Sequence, residues 1–250
     1  MYVDVHCHLD GCYYDNIDNV IINAKNNNVG KLIYNGCDIK TNKEVIDLIN
    51  KYDFVYGAIG FHPTELDNIK DDDYIFLEDN IKNKKIVAIG EIGLDYHYED
   101  TDKDKQKYHF IKQLELAKKY NLPVIVHSRD SIQDTYNILK EYSVKGILHC
   151  YSGSVEMAKE FVKLGFLISV GGIVTFKNAK NIIDVIKNID LSYLLLETDS
   201  PYLTPEPYRK YKNEPKYIPV IASKIAEIKE ISIEEVRDVT TSNAKRLFDF

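Results

Sequence analysis

Six residues of this 250-residue chain combine the right side-chain types with a recurring position: each closes a short apolar run. His6 and His8 form a His-x-His pair after Val3 and Val5. Glu91 follows Ile86 to Gly90, His127 follows Val124 to Val126, His149 follows Ile147 and Leu148, and Asp199 follows Leu194 to Leu196. A lone histidine or acid at such a place is most often a satisfied polar group, but six of them repeating one position describe a ligand set. Neutral imidazole and carboxylate suit zinc and, with more oxygen donors, manganese or magnesium. Two divalent ions a few ångströms apart need a ligand that spans them, and Glu91, with its two oxygens, is the candidate bridge. Such a pair fits phosphate-ester hydrolysis, in which the ions activate water, clamp the phosphoryl oxygens and stabilise the leaving alkoxide. Asp199 could ligate one ion and also orient or deprotonate the attacking water.

These residues need elements that bring them to one place. Eight apolar, β-branched runs read as strands: 2–8, 31–37, 55–62, 86–93, 123–129, 145–152, 167–172 and 193–199. Segments of helical period lie between them. Ile17, Val20, Ile21 and Ala24 mark one buried helical face, with Gly30 placed as its C-terminal cap, and Val155, Ala158, Phe161 and Val162 repeat the pattern. Runs such as Leu194-Leu195-Leu196 suit parallel strands buried on both faces. Eight β-then-α units without an interrupting linker predict an α/β fold, a (β/α)8 TIM barrel, as a single domain over 1–250. Residues at the C-terminal strand ends then share one rim, and all six candidates fall there. Pro201 to Pro219 holds five of the seven prolines and reads as a long functional loop before the last helices, which end near Phe248.

Composition narrows the classes. With 44% hydrophobic and 28% charged residues the chain has a soluble, globular balance, and no apolar run reaches the roughly 18 residues a membrane span needs. No basic-then-apolar leader opens the chain, so a cytoplasmic setting is expected, with neither a membrane nor an obligate protein partner. Cys7, Cys12, Cys37 and Cys150 are too few and scattered for a disulfide scaffold or a cysteine-based zinc site. Cys7 alternates away from His6 and His8 and reads, like Cys150, as a core thiol. His97 and His109 receive no role, and Asp71-Asp72-Asp73 reads as a helix N-terminus. A net charge of -7 argues against coating nucleic acid by charge, though not against a local site.

The stretches Val3 to Asp10, Gly60-Phe61-His62-Pro63, Gly90 to Tyr96, Pro123 to Asp130, His149 to Gly153 and Glu197 to Leu203 resemble, in order and spacing, the motifs of the TatD family of metal-dependent deoxyribonucleases. The resemblance implies a metal-dependent hydrolase barrel that cleaves DNA phosphodiester bonds, often exonucleolytically. It supports two divalent ions (Mg, Mn or Zn) on His6, His8, Glu91, His127, His149 and Asp199, and strand ends of DNA as substrate. Many relatives that hydrolyse amides or phosphotriesters carry a carboxylated lysine where this chain has Glu91. The alternative activity for such a centre is hydrolysis of a small amide, lactone or phosphoester. His62, before Pro63, is either a histidine packed under a rigid turn or, as the resemblance implies, a catalytic or substrate contact to phosphate. Arg129 could grip phosphate or pair with Asp130. The loop Tyr208 to Pro215 interleaves cations and aromatic rings that could hold a nucleic acid strand, or is simply solvated. It departs from the family pattern at Tyr208, Lys210 and Tyr211, which leaves Arg209 as its substrate contact and Lys177 as a weaker candidate on the same rim.

Overall fold

The computed structural model describes all 250 residues. Its strands are β1 (Tyr2–Cys7), β2 (Val29–Asn35), β3 (Val55–Ile59), β4 (Ile86–Asp95), β5 (Val124–Arg129), β6 (Gly146–Leu148), β7 (Phe166–Val170) and β8 (Leu194–Leu196). Helices α1 (Ile17–Asn26), α2 (Ile39–Lys51), α3 (Asp71–Asn80), α4 (Lys103–Tyr120), α5 (Ile132–Glu141), α6 (Val155–Lys163) and α7 (Lys180–Asn188) alternate with them, and α8 (Ile218–Lys229) and α9 (Ile233–Phe248) follow β8. Each strand pairs in parallel with the next in sequence, the order of a (β/α)8 barrel.

Alternation along the strands separates two apolar layers. Leu32 and Tyr34, Val124 and Val126, Ile168 and Val170, and Leu194 and Leu196 face the helices in a 51-residue cluster. Their neighbours Ile33, Ala58, Ile125, Ile147, Leu167 and Leu195 fill the lumen with Val3, Val5, Val87 and Ala88, closed below by Ala244 and Phe248 of α9.

Two irregularities break the alternation where it matters. The register of β1 gains a residue between Asp4 and Cys7, and that of β4 gains one between Ile89 and Ile92. Ile89 and Ile92 both pack in the outer layer, three positions apart, which strict alternation forbids. The extra residue of this bulge turns Glu91 into the lumen. In β1 the same device leaves Cys7 facing outward, its thiol donating to Ile33 O at 3.4 Å, while His6 faces inward.

The seam between β8 and β1 is short. Asp199 N–H donates to His6 O at 3.0 Å and His8 N–H to Ser200 O at 2.7 Å. Between them the buried carboxylate of Asp4 accepts from Thr198 N–H at 2.9 Å and from Thr198 Oγ1–H at 2.5 Å. A side chain therefore supplies part of the ladder that closes the barrel.

Three expectations change. Gly30 is not a cap: Asn27 caps α1, Asn28 takes the left-handed turn at φ 63°, and Gly30 lies in β2, where a Cβ would stand 2.8 Å from that of Met1. Strands β1, β3, β6 and β8 stop before their site residues, so His8, His62, His149 and Asp199 sit on the segments just beyond. Cys150, expected in the core, is only half-buried at φ 43°. The acidic run Asp71 to Asp73 does open α3.

Candidate metal centre

The six candidate ligands meet at the C-terminal mouth of the barrel. His6 Nε2 lies 3.1 Å from His8 Nε2, 3.4 Å from Glu91 Oε2 and 3.6 Å from Asp199 Oδ1. On the other side of the same carboxylate, Glu91 Oε1 lies 3.0 Å from His127 Nδ1 and 3.6 Å from both His149 Nε2 and His62 Nε2. Adjacent donors on one ion with bonds of about 2.0–2.1 Å stand about 3.0–3.4 Å apart. The separations thus suit coordination, and Glu91 divides the donors into a set with His6 and His8 and a set with His127 and His149.

Partners on the far ring nitrogens decide what each histidine presents. His8 Nδ1–H donates to Asn35 O at 3.0 Å and His149 Nδ1–H to Glu197 Oε2 at 3.1 Å, so in the neutral rings each Nε2 lone pair faces the centre. His127 is aligned by Asp95 Oδ2, 3.1 Å from its Nε2, which leaves Nδ1 toward Glu91. His6 Nδ1 is buried without a partner. This donor set fits a divalent ion. His62 differs: its Nδ1 accepts from Thr64 N–H at 3.2 Å, so the neutral ring carries its proton on Nε2 and presents a donor.

Electrostatics agree with crowded, desolvated ligands. Burial pulls His6 down to about 4 and His62 down to about 3, so both are neutral. Burial also opposes charge on His149, but Glu197, Glu91 and Asp199 outweigh it and raise that ring to about 10. Burial pushes Glu91 upward, yet the ring nitrogens packed around it and the hydrogen bond from His127 hold it well below the usual range. Asp199 is pushed up to about 6, chiefly by burial.

The substrate candidates separate. His62 and Arg129 line the cleft of about 570 Å³ above the ligands, and Arg129 is not paired with Asp130, which binds His97 instead at 3.1 Å. Arg209 lies outside that cleft, its guanidinium 4.1 Å over the Phe176 ring and donating to Thr204 O at 3.1 Å. Tyr208 stacks on Tyr217 at 4.9 Å, and neither the loop's cations nor Lys177 line the cleft. The sequence reading passed over Asp95 and Glu197. Both lie within the quoted motifs at even spacing from a candidate ligand, four residues after Glu91 and two before Asp199, and that period-2 signal could have found them.

Residues 3–249 match the family described as TatD related DNase. The chain belongs to the TatD family. Among its TatD relatives, the metal-dependent hydrolase YabD of Bacillus subtilis strain 168 is 45% identical over 252 residues, covering 99% of each chain. The crystal structure of YjjV, a TatD homologue from Escherichia coli K12, superposes with a TM-score of 0.94 at 31% identity, over 100% of this chain and 98% of that one. A lactonase resembling phosphotriesterases from Deinococcus radiodurans shares the fold alone, at TM-score 0.65 and 13% identity over 99% and 95% of the two chains. No helix is long and apolar enough to cross a membrane.

Proposed function

We propose that this metal-dependent hydrolase cleaves DNA phosphodiester bonds from a strand end, in the cytoplasm, with two divalent ions on His6, His8, Glu91, His127, His149 and Asp199. The observation that carries the reading is Glu91, whose Oε2 is 3.4 Å from His6 Nε2 while its Oε1 is 3.0 Å from His127 Nδ1. One carboxylate thus serves two nitrogen sets. Divalent ions held there supply Lewis acidity to phosphoryl oxygens and make water ionise near neutral pH.

The chain's own groups account for the rest. His62, neutral with its proton on Nε2, donates to a non-bridging phosphoryl oxygen. Arg129, on the exposed wall of the same cleft, offers a planar pair of donors to another. Asp199, a carboxylate beside the ions, accepts the proton of the attacking water and can return it to the leaving oxygen. A cleft of about 570 Å³ is the size of a small-ligand pocket, which suits a strand end rather than a continuous duplex.

The test is cleavage of end-labelled single-stranded and duplex DNA in Mg, Mn or Zn, with and without chelator. Metal-dependent loss of terminal nucleotides is expected. Full activity in a demonstrably metal-free sample overturns the metal role. Inert DNA beside turnover of a small amide, lactone or phosphoester transfers the centre to the alternative activity.

A further inference from the structure

Three tyrosines line the cleft: Tyr98, edge to face with His97, and the pair Tyr13 and Tyr202, whose backbones are tied down beside the ligands. Tyr202 is 47% exposed, yet its N–H donates to Asp199 O at 2.9 Å and its carbonyl accepts from the buried Asn213 Nδ2 at 2.5 Å. Tyr13 is held in the same way, its N–H on Asp10 O at 3.0 Å and its carbonyl bound by Lys212 Nζ. The two hydroxyls meet at 2.5 Å with the rings edge to face, and the Tyr202 ring centroid lies 6.2 Å from that of His8. An aromatic ring held rigidly in the open beside the ligands is apolar surface left for another molecule to cover.

The rest of the lining is poorly suited to grip a polyanion. Its carboxylates are Asp10, Asp38, Glu65, Glu91, Asp95 and Asp199, against the cations Lys40 and Arg129. Ions at the centre would offset the ligand charges and hold one phosphate, but the next phosphates along a strand would meet the rim carboxylates Asp38 and Glu65. Affinity for the remainder of the nucleotide must come from its base, and the neutral rings beside the centre are the groups that can provide it.

We propose that Tyr202, braced by Tyr13, is the platform on which the nucleobase next to the scissile phosphodiester stacks, so that the enzyme selects an unpaired strand end that carries a base. The inference rests on the phosphodiesterase reading. It moves base recognition from the Tyr208 to Pro215 segment, whose Lys212 and Asn213 bind the backbones of Tyr13 and Tyr202, to the rings of Tyr13 after β1 and Tyr202 early in the loop after β8.

The experiment compares kcat/KM, with Mn loaded, for a single-stranded oligonucleotide and for the same strand lacking the base at both termini. Stacking on one ring gives about a tenfold preference for the intact strand. Tyr202→Phe keeps the preference, and Tyr202→Ala brings the two substrates within about twofold. A terminal 2-aminopurine on a phosphorothioate-protected strand gives a readout independent of turnover: its fluorescence is quenched on binding the wild type and Tyr202→Phe, and not on binding Tyr202→Ala. Equal cleavage of both strands by the wild type, or an undiminished preference in Tyr202→Ala, overturns the platform and leaves the phosphodiesterase reading standing. Cleavage of neither strand with Mg, Mn or Zn overturns both.

Discussion

A neutral imidazole has one N–H and one lone pair, and whatever binds one nitrogen settles what the other presents. Glu197 and Asp95 act in this way on His149 and His127, at 3.1 Å each. Glu197→Ala and Asp95→Ala should each lower metal affinity or kcat/KM about 10- to 100-fold with the far-UV spectrum unchanged. Glu91→Ala and His127→Ala should leave almost no activity. Wild-type metal content and rate in Glu197→Ala would refute the orienting role. The pH response follows from the same rings. In the metal-free protein His6 is depressed to about 4 against roughly 6.5 when unfolded, so its share of stability is present above about pH 6.5 and is lost as pH falls through 4. His149, raised to about 10, contributes fully below about pH 6.5 and loses that share as pH rises through 10. Metal must displace the His149 proton, so uptake near pH 7 should release protons and affinity should climb with pH. Calorimetry in two buffers of different ionisation heat measures this, and a buffer-independent heat would contradict it. The six candidate ligands were legible because polar types closed apolar runs. Glu197 and Asp95 were passed over because an acid that meets a ring nitrogen and a backbone N–H, rather than an ion, is marked in sequence only by its even spacing from a ligand.

At the scale of elements, all eight strands were legible from apolar runs, whereas the bulges were not, since an added residue in one strand shows only against its neighbour's register. The β1–β8 seam was equally hidden, because Asp4 and Thr198 are 194 residues apart. Asp4→Ala leaves the buried Thr198 N–H and hydroxyl without their acceptor and should cost about 3 kcal/mol in urea unfolding, whereas Asp4→Asn, which keeps one oxygen, should cost about 1 kcal/mol. A wild-type midpoint for Asp4→Ala would mean that the backbone bonds alone close the barrel. Gly30 misled the reading for a local reason: a helix can end on a left-handed Asn as well as on Gly.

At the scale of the molecule, the net charge of -7 includes a cleft with six carboxylates and two cations, a local deficit that two divalent ions would balance. Metal at about 100 times its Kd should stabilise the fold by about 2.7 kcal/mol, or about 5–10 °C in Tm for a chain of this length, and chelator should reverse the shift. A melt indifferent to chelator would separate the centre from stability. Few phosphates can meet a cation here, so DNA affinity should fall only shallowly with added salt, and a steep slope in a titration between 50 and 200 mM salt would reveal an unrecognised basic track. The seam also orders events during synthesis. His6 and His8 leave the ribosome early, but Asp199 and the Thr198 that fastens β8 to Asp4 come nearly two hundred residues later. A nascent chain that has reached only β7 holds five of the six ligands on an unclosed sheet, so the hydrolase centre stays incomplete until β8 and the turn after it are made.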